Sequence, residues 1–70
     1  MENTIKEKLT SLMMYLKEGH DMYLKQIEDC EAKCKQKYDT YYFLAKTHIA
    51  SANILMDAMN TLAEVINDID

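Results

Sequence analysis

The fold is decided by residues 38–69, YDTYYFLAKTHIASANILMDAMNTLAEVINDI, in which apolar side chains return at alternating steps of three and four. One series with a period of seven residues contains Tyr38, Ala45, Ala52, Met59 and Ile66. A second such series contains Tyr41, His48, Leu55, Leu62 and Ile69. Two interleaved series of this kind are typical of a coiled-coil helix, where they form a single apolar seam. We therefore expect one helix over about residues 40–68.

The apolar surface of this helix is wider than a coiled-coil seam. Ile49 and Met56 lie beside the seam on one flank, and Ala58 and Val65 lie on the other. A single neighbouring helix cannot cover so wide a surface, so we expect the chain to self-associate as a homodimer or homotetramer. The predicted oligomer interface consists of Ala45, Ala52, Leu55, Met59, Leu62, Ile66, Ile49 and Met56.

The N-terminal half carries a second helical pattern. The apolar residues that recur there at three- and four-residue spacing are Ile5, Leu9, Leu12, Leu16, Tyr23, Ile27, Cys30 and Cys34. This stripe predicts a helix over about residues 4–36, and Gly19 is the candidate position for a kink. The stripe continues across Asp39-Thr40, the best candidate for a turn, because no proline or glycine interrupts it.

Two architectures fit these two helical segments. We favour a single all-α domain over residues 1–70, a helical hairpin of two long antiparallel helices that turns near residues 36–40 and assembles into a helical-bundle oligomer. This arrangement buries both apolar stripes. The alternative is one continuous long helix.

The composition excludes several classes of protein. Among 70 residues there is one glycine and no proline, which argues against an all-β fold. The net charge is −4 and every basic residue is a lysine, so no nucleic-acid partner is expected. We expect no membrane partner either, because polar residues interrupt the most apolar stretch, 41–59. Two cysteines and no recognisable export signal favour a cytoplasmic location.

Aromatic residues are concentrated at the expected turn. Four of the six aromatic residues of the chain, Tyr38, Tyr41, Tyr42 and Phe43, lie within six positions of one another. Tyrosine combines a large apolar ring with a hydroxyl group that can remain hydrated, which suits a binding hot spot. We therefore predict that these four residues bind a partner protein. The competing interpretation is that they close the end of the hairpin or pack against another copy.

Cys30 and Cys34 are the weak candidates for a metal or redox site, because residues four apart share a face of a helix. A zinc site needs four ligands, and the remaining candidates, His20 and His48, cannot both approach the thiols in a hairpin. We therefore favour two small apolar residues on a buried stripe, with no metal and no cofactor. We find no catalytic residue and expect no enzymatic activity.

These observations predict a small, non-enzymatic protein–protein interaction module that acts by stoichiometric binding, as an adaptor, co-chaperone, inhibitor or regulator of another protein. One alternative is a purely structural coiled coil whose only partner is itself. A second alternative is a metal or redox switch at Cys30 and Cys34.

Overall fold

The chain forms two helices joined by a short turn. The computed structural model describes the backbone of residues 2–69 and the side chains of residues 4–69. Helix α1 spans Glu2–Lys33 and helix α2 spans Thr40–Ile69, and the two helices pack against each other. The predicted all-α helical hairpin is therefore confirmed, and the alternative of one continuous helix is excluded.

Contacts between the helices show that they run antiparallel. Gly19 lies against Leu55, whereas Tyr23, further along α1, packs on His48, which precedes Leu55 in α2. The resulting hairpin is long and thin, with Cα extents of 54 × 14 × 11 Å. Over the described residues, neither helix contains a stretch that is long and apolar enough to cross a membrane.

The helix boundaries differ from the predicted ones chiefly at the end of α1. That helix ends at Lys33, three residues before the predicted position, whereas α2 begins at Thr40 as expected. Helix α1 also continues through Gly19 without a break. A Cβ atom at this position would lie 3.3 Å from Leu55 Cδ1, so the glycine permits close approach of the two helices.

The core between the helices is small. The buried apolar residues are Cys30 on α1 and Ala45, Ala52 and Met59 on α2. The small side chains of Cys30, Ala45 and Ala52 allow the two helices to pack closely. Within the described part of the chain, no side chain is completely removed from solvent. Much of the apolar surface that the sequence provides is therefore still exposed in the isolated hairpin.

The seam on α1 follows most of the predicted stripe, including Leu9, Leu16 and Tyr23, and departs from it at Ile5 and Leu12. Ile5 and Leu12 are exposed, whereas Met13 and His20 are half-buried. Counting back in steps of seven from the half-buried Ile27 gives His20 and then Met13, so the seam keeps a strict seven-residue period. The prediction placed Leu12 on the stripe in place of the neighbouring Met13, and it left out His20 because histidine is polar. The displaced residues, Ile5 and Leu12, remain on the surface.

Candidate protein-interaction site at the helix turn

Asp39 organises the turn between α1 and α2. Its carboxylate Oδ1 accepts a hydrogen bond of 2.8 Å from the backbone N–H of Tyr42, which caps the start of α2. Its other oxygen, Oδ2, accepts hydrogen bonds from the backbone N–H groups of Lys35 at 3.0 Å and Gln36 at 3.4 Å. One side chain thus connects the beginning of α2 to the segment that follows α1.

The ionisation of Asp39 is coupled to these hydrogen bonds. The N–H group of Tyr42, followed by that of Lys35, lowers the pKa of the Asp39 carboxyl group, because both bonds favour the charged form; partial burial opposes them. The carboxylate is therefore charged at neutral pH. This charge also lies at the N-terminus of α2, where the helix dipole favours an anion.

Tyr38 holds the chain reversal in an unfavourable backbone conformation. Its φ is 73°, in the left-handed region that is ordinarily occupied by glycine or asparagine. The side chain is 64% exposed, so burial of the ring does not compensate for the backbone strain. If the turn were the only requirement at this position, glycine would suit it better than tyrosine. A strained, exposed tyrosine is the kind of backbone outlier that occurs at functional sites.

Three aromatic rings lie together beside this residue. The ring centroids of Tyr38 and Tyr42 are 5.3 Å apart, those of Tyr42 and Phe43 are 5.4 Å apart, and those of Tyr38 and Phe43 are 6.3 Å apart. The first two pairs meet edge to face, a favourable geometry. We call Tyr38, Tyr42 and Phe43 the aromatic cluster. Phe43 is 56% exposed, so the cluster presents apolar surface to solvent at the end of the hairpin.

Tyr41, the fourth residue of the predicted partner-binding set, lies apart from this cluster. The Lys33 ammonium group lies 5.8 Å from the centroid of its ring. Lys33 also forms a salt bridge of 3.1 Å with Asp29, and the hydrogen bond that Lys33 donates to the Asp29 carboxylate raises the pKa of the Lys33 ammonium group. The structure therefore brings together three of the four predicted residues and places Tyr41 beside the end of α1.

Lysine side chains surround the aromatic cluster, which the sequence analysis did not predict. Lys37 Nζ lies 5.1 Å from the centroid of the Tyr38 ring, and Lys46 Nζ lies 5.5 Å from that of Tyr42. Both distances permit cation–π attraction. The spacing of Tyr42 and Lys46, four residues apart on one helix, could have indicated the second contact. The cluster thus carries a positively charged rim in a protein whose net charge is −4.

The two cysteines lie at the same end of the hairpin as the aromatic cluster. Both are free; Cys30 is buried, and the Cys34 thiol lies 3.4 Å from the carbonyl oxygen of Gln36, to which it donates a hydrogen bond. Partial burial, followed by the nearby Asp39 carboxylate, raises the pKa of the Cys34 thiol. A raised pKa lowers the fraction of reactive thiolate at neutral pH. These features argue against a redox or nucleophilic role.

The histidines lie along the seam, away from the two thiols. His48 packs on the Tyr23 ring with centroids 5.8 Å apart, and His20 Nδ1 is 3.9 Å from an Asp21 carboxylate oxygen. Among the residues that the structure describes, no three histidine, cysteine or acidic side chains are grouped so as to hold a metal ion.

The predicted oligomer interface is divided between the seam and the surface. Ala45, Ala52 and Met59 are buried against α1, so they already have a partner within the chain. Most of the remaining residues are half-buried, and Met56 is exposed. Exposed apolar residues that the prediction did not include, among them Ile54 and Val65, extend well beyond the turn. This surface suggests that the hairpin has a binding partner or self-associates.

Comparison of the chain with models of protein families, with curated proteins and with solved structures finds no match. The turn and the exposed faces of the hairpin are therefore the basis for assigning a function.

Proposed function

We propose that this protein is a small, non-enzymatic interaction module that acts by stoichiometric binding of another protein at the turn between its helices. The aromatic cluster of Tyr38, Tyr42 and Phe43 forms the contact surface. The observation that carries the proposal is the exposed Tyr38 ring, which lies at a backbone position where glycine would be less strained.

The chemistry of the cluster indicates the kind of partner. Aromatic side chains that are already held against one another lose little conformational freedom on binding, which is a property of interface hot spots. Lys37 and Lys46 add positive charge around the rings. The expected partner surface is therefore apolar at its centre and acidic at its edge. Two free thiols fit a reducing compartment, so we place this binding in the cytoplasm.

Affinity capture from cells of the source organism tests the proposal. The bait is the wild-type hairpin, and the test variant is Tyr38→Gly/Phe43→Ala, which removes the two exposed rings while placing glycine at the strained position. The matched control is Met14→Ala/Leu24→Ala, which removes exposed apolar side chains from the middle of α1.

The wild type and the control should each recover the same protein in a stoichiometric amount, and the test variant should lose it while retaining its helical content. Equal recovery by all three baits would reject the aromatic cluster as the binding site.

A second candidate function is that of a structural coiled coil whose partner is another copy. The exposed apolar side chains along the length of the hairpin favour it. Self-association as a homodimer or homotetramer is also compatible with binding at the turn, because the two surfaces are separate. We therefore propose that the hairpin self-associates and presents its aromatic cluster from the assembly.

A further inference from the structure

The exposed apolar side chains outside the turn are divided unequally between two long faces of the hairpin. The first, which we call the Leu12 face, carries Ile5, Leu12, Tyr15, Met22, Leu44, Ile54 and Val65. The second, the Leu24 face, carries Leu24, Met14 and Met56. Among the described residues, the first face thus has seven of the thirteen exposed large apolar residues, and the second has three. This asymmetry distinguishes the two sides of an otherwise regular hairpin.

Surface grooves between the helices define the two faces. Leu12 on α1 and Val65 on α2 line one groove together with Ala58, so they flank the same side of the seam. Glu31 on α1 and Ile49 on α2 line a second groove. Residues seven apart share a face, which places Leu24 with Glu31 and Met56 with Ile49 on the second side.

The two faces also differ in charge. The central part of the Leu12 face runs along α1 from residue 12 to residue 26 and along α2 from residue 44 to residue 65. In the described chain, the side chains that lie on this part of the face are all uncharged. Asp57 borders the groove from the outer surface of α2. The Leu24 face carries charged side chains along its length, including Lys17, Asp21 and Lys46. Glu18 and Lys25 border the Leu12 face beside Met22 on the outer surface of α1. The centre of the Leu12 face, between these bordering charges, can therefore be removed from water without burying an unpaired charge.

We infer that the Leu12 face binds the Leu12 face of a second copy of this chain, giving a symmetric four-helix bundle of two hairpins. This inference rests on the proposed self-association and assigns it to one surface. Two helices side by side present an elongated apolar layer, which another two-helix layer matches in length and width. Because the interface is the same patch on both copies, a twofold axis relates them.

The exposed area agrees with one missing partner of this size. The hairpin exposes 5563 Å². A folded monomer of its mass, 8.2 kDa, is expected to expose about 4,500 Å². The excess of about 1,000 Å² is close to the roughly 800 Å² that each partner contributes to a standard stable interface.

The small core indicates why the occupant is a second copy. Among the described residues, the seam buries Cys30 and three residues of α2, which is a small core for a folded domain, so further apolar burial would stabilise the hairpin. Another copy of the same chain is present whenever the protein is made. The pairing also avoids like charges at the centre of the contact, although each copy carries a net charge of −4.

Matched charge substitutions on the two faces test the assignment. Leu12→Glu/Val65→Glu changes residues of the Leu12 face that are 46% and 44% exposed, whereas Leu24→Glu/Met56→Glu changes residues of the other face that are 48% and 41% exposed. Light scattering after size exclusion gives the mass, and circular dichroism gives the helical content. We expect a dimer of the wild type, a dimer of the Leu24-face variant, and at least a tenfold weaker association of the Leu12-face variant.

Cysteine cross-linking provides a second test that does not disturb the interface charges. In a Cys30→Ser/Cys34→Ser background, Ile54→Cys places a thiol on the Leu12 face near the midpoint of the hairpin, close to the proposed twofold axis. The adjacent control, Asn53→Cys, places it on the other flank. With a short bifunctional maleimide, we expect covalent dimers from Ile54→Cys and not from Asn53→Cys.

The outcomes separate this inference from the proposals on which it rests. Equal dimerisation of both charge variants, or equal cross-linking at positions 53 and 54, would overturn the Leu12 face as the interface and leave self-association standing. A monomeric wild type across a hundredfold range of concentration would overturn both, without affecting the proposed binding at the aromatic cluster.

Discussion

Substitution of Tyr38 by glycine and by alanine measures the strain at the turn. Both changes remove the same ring, so the difference between them isolates the backbone. An L-residue in the left-handed region, where Tyr38 has a φ of 73°, costs roughly 1–2 kcal/mol relative to glycine. Glycine loses about 0.5–1 kcal/mol of this advantage through the greater freedom of its unfolded chain. We expect Tyr38→Gly to be more stable than Tyr38→Ala by about 1 kcal/mol.

The assay is thermal unfolding followed by circular dichroism, at equal protein concentrations because self-association alters the apparent stability. For a chain of this size, about 1 kcal/mol corresponds to a difference of roughly 4–8 °C in melting temperature. The control is the same pair of substitutions at Tyr15, in the middle of α1. There alanine should exceed glycine by about 1 kcal/mol, because glycine is the poorer helix former. If Tyr38→Ala is as stable as Tyr38→Gly, the backbone at position 38 is not strained. The Tyr38 ring would then no longer indicate a binding surface at the turn.

Three further predictions follow from the turn and the seam. Because the pKa of Asp39 is lowered in the folded protein, its carboxylate stabilises the fold above its unfolded pKa, and this stability is lost as the pH falls through the lower folded value. Asp39→Ala should therefore be less stable than the wild type at pH 7 and should approach the wild type in acid. Denaturant titrations of both proteins at a series of pH values check this. The raised pKa of Cys34 should move its alkylation by iodoacetamide to higher pH in the folded protein than in the unfolded protein, and coincident pH profiles would contradict it. Gly19→Ala should increase stability more in a Leu55→Ala variant than in the wild-type protein, because Leu55 Cδ1 would lie only 3.3 Å from the new Cβ. A double-mutant cycle that shows no coupling between the two positions would exclude this crowding.

The sequence was sufficient to predict the hairpin and the position of its turn. Asp39 and Thr40 are residues that begin helices, and α2 does begin at Thr40. The end of α1 was predicted three residues too late. Nothing between Lys33 and Gln36 disfavours a helix locally, but the Asp39 carboxylate bonds the N–H groups of Lys35 and Gln36 and so stabilises a turn there. These two hydrogen bonds form because the chain reverses direction at the turn, and the local sequence does not show this reversal.

The candidate site was also predicted incompletely, because some of its features form only in the folded chain. A run of aromatic residues predicted a binding surface at the turn, yet composition could not show that Tyr38 adopts a left-handed conformation or that the Tyr41 ring lies beside Lys33. The predicted oligomer interface shows the same difficulty. A sequence shows that Ala45 and Met59 are apolar, but it does not show that α1 buries them and leaves other residues, such as Ile54, exposed.

The most direct test of the proposed binding is photo-crosslinking in living cells from a benzophenone amino acid at position 43. The structure places this side chain at the exposed edge of the aromatic cluster. We predict a covalent adduct with a protein other than a second copy of the chain, formed from position 43 and not from position 14 on the Leu24 face. Adducts between copies alone, or adducts of equal yield from both positions, would contradict the account.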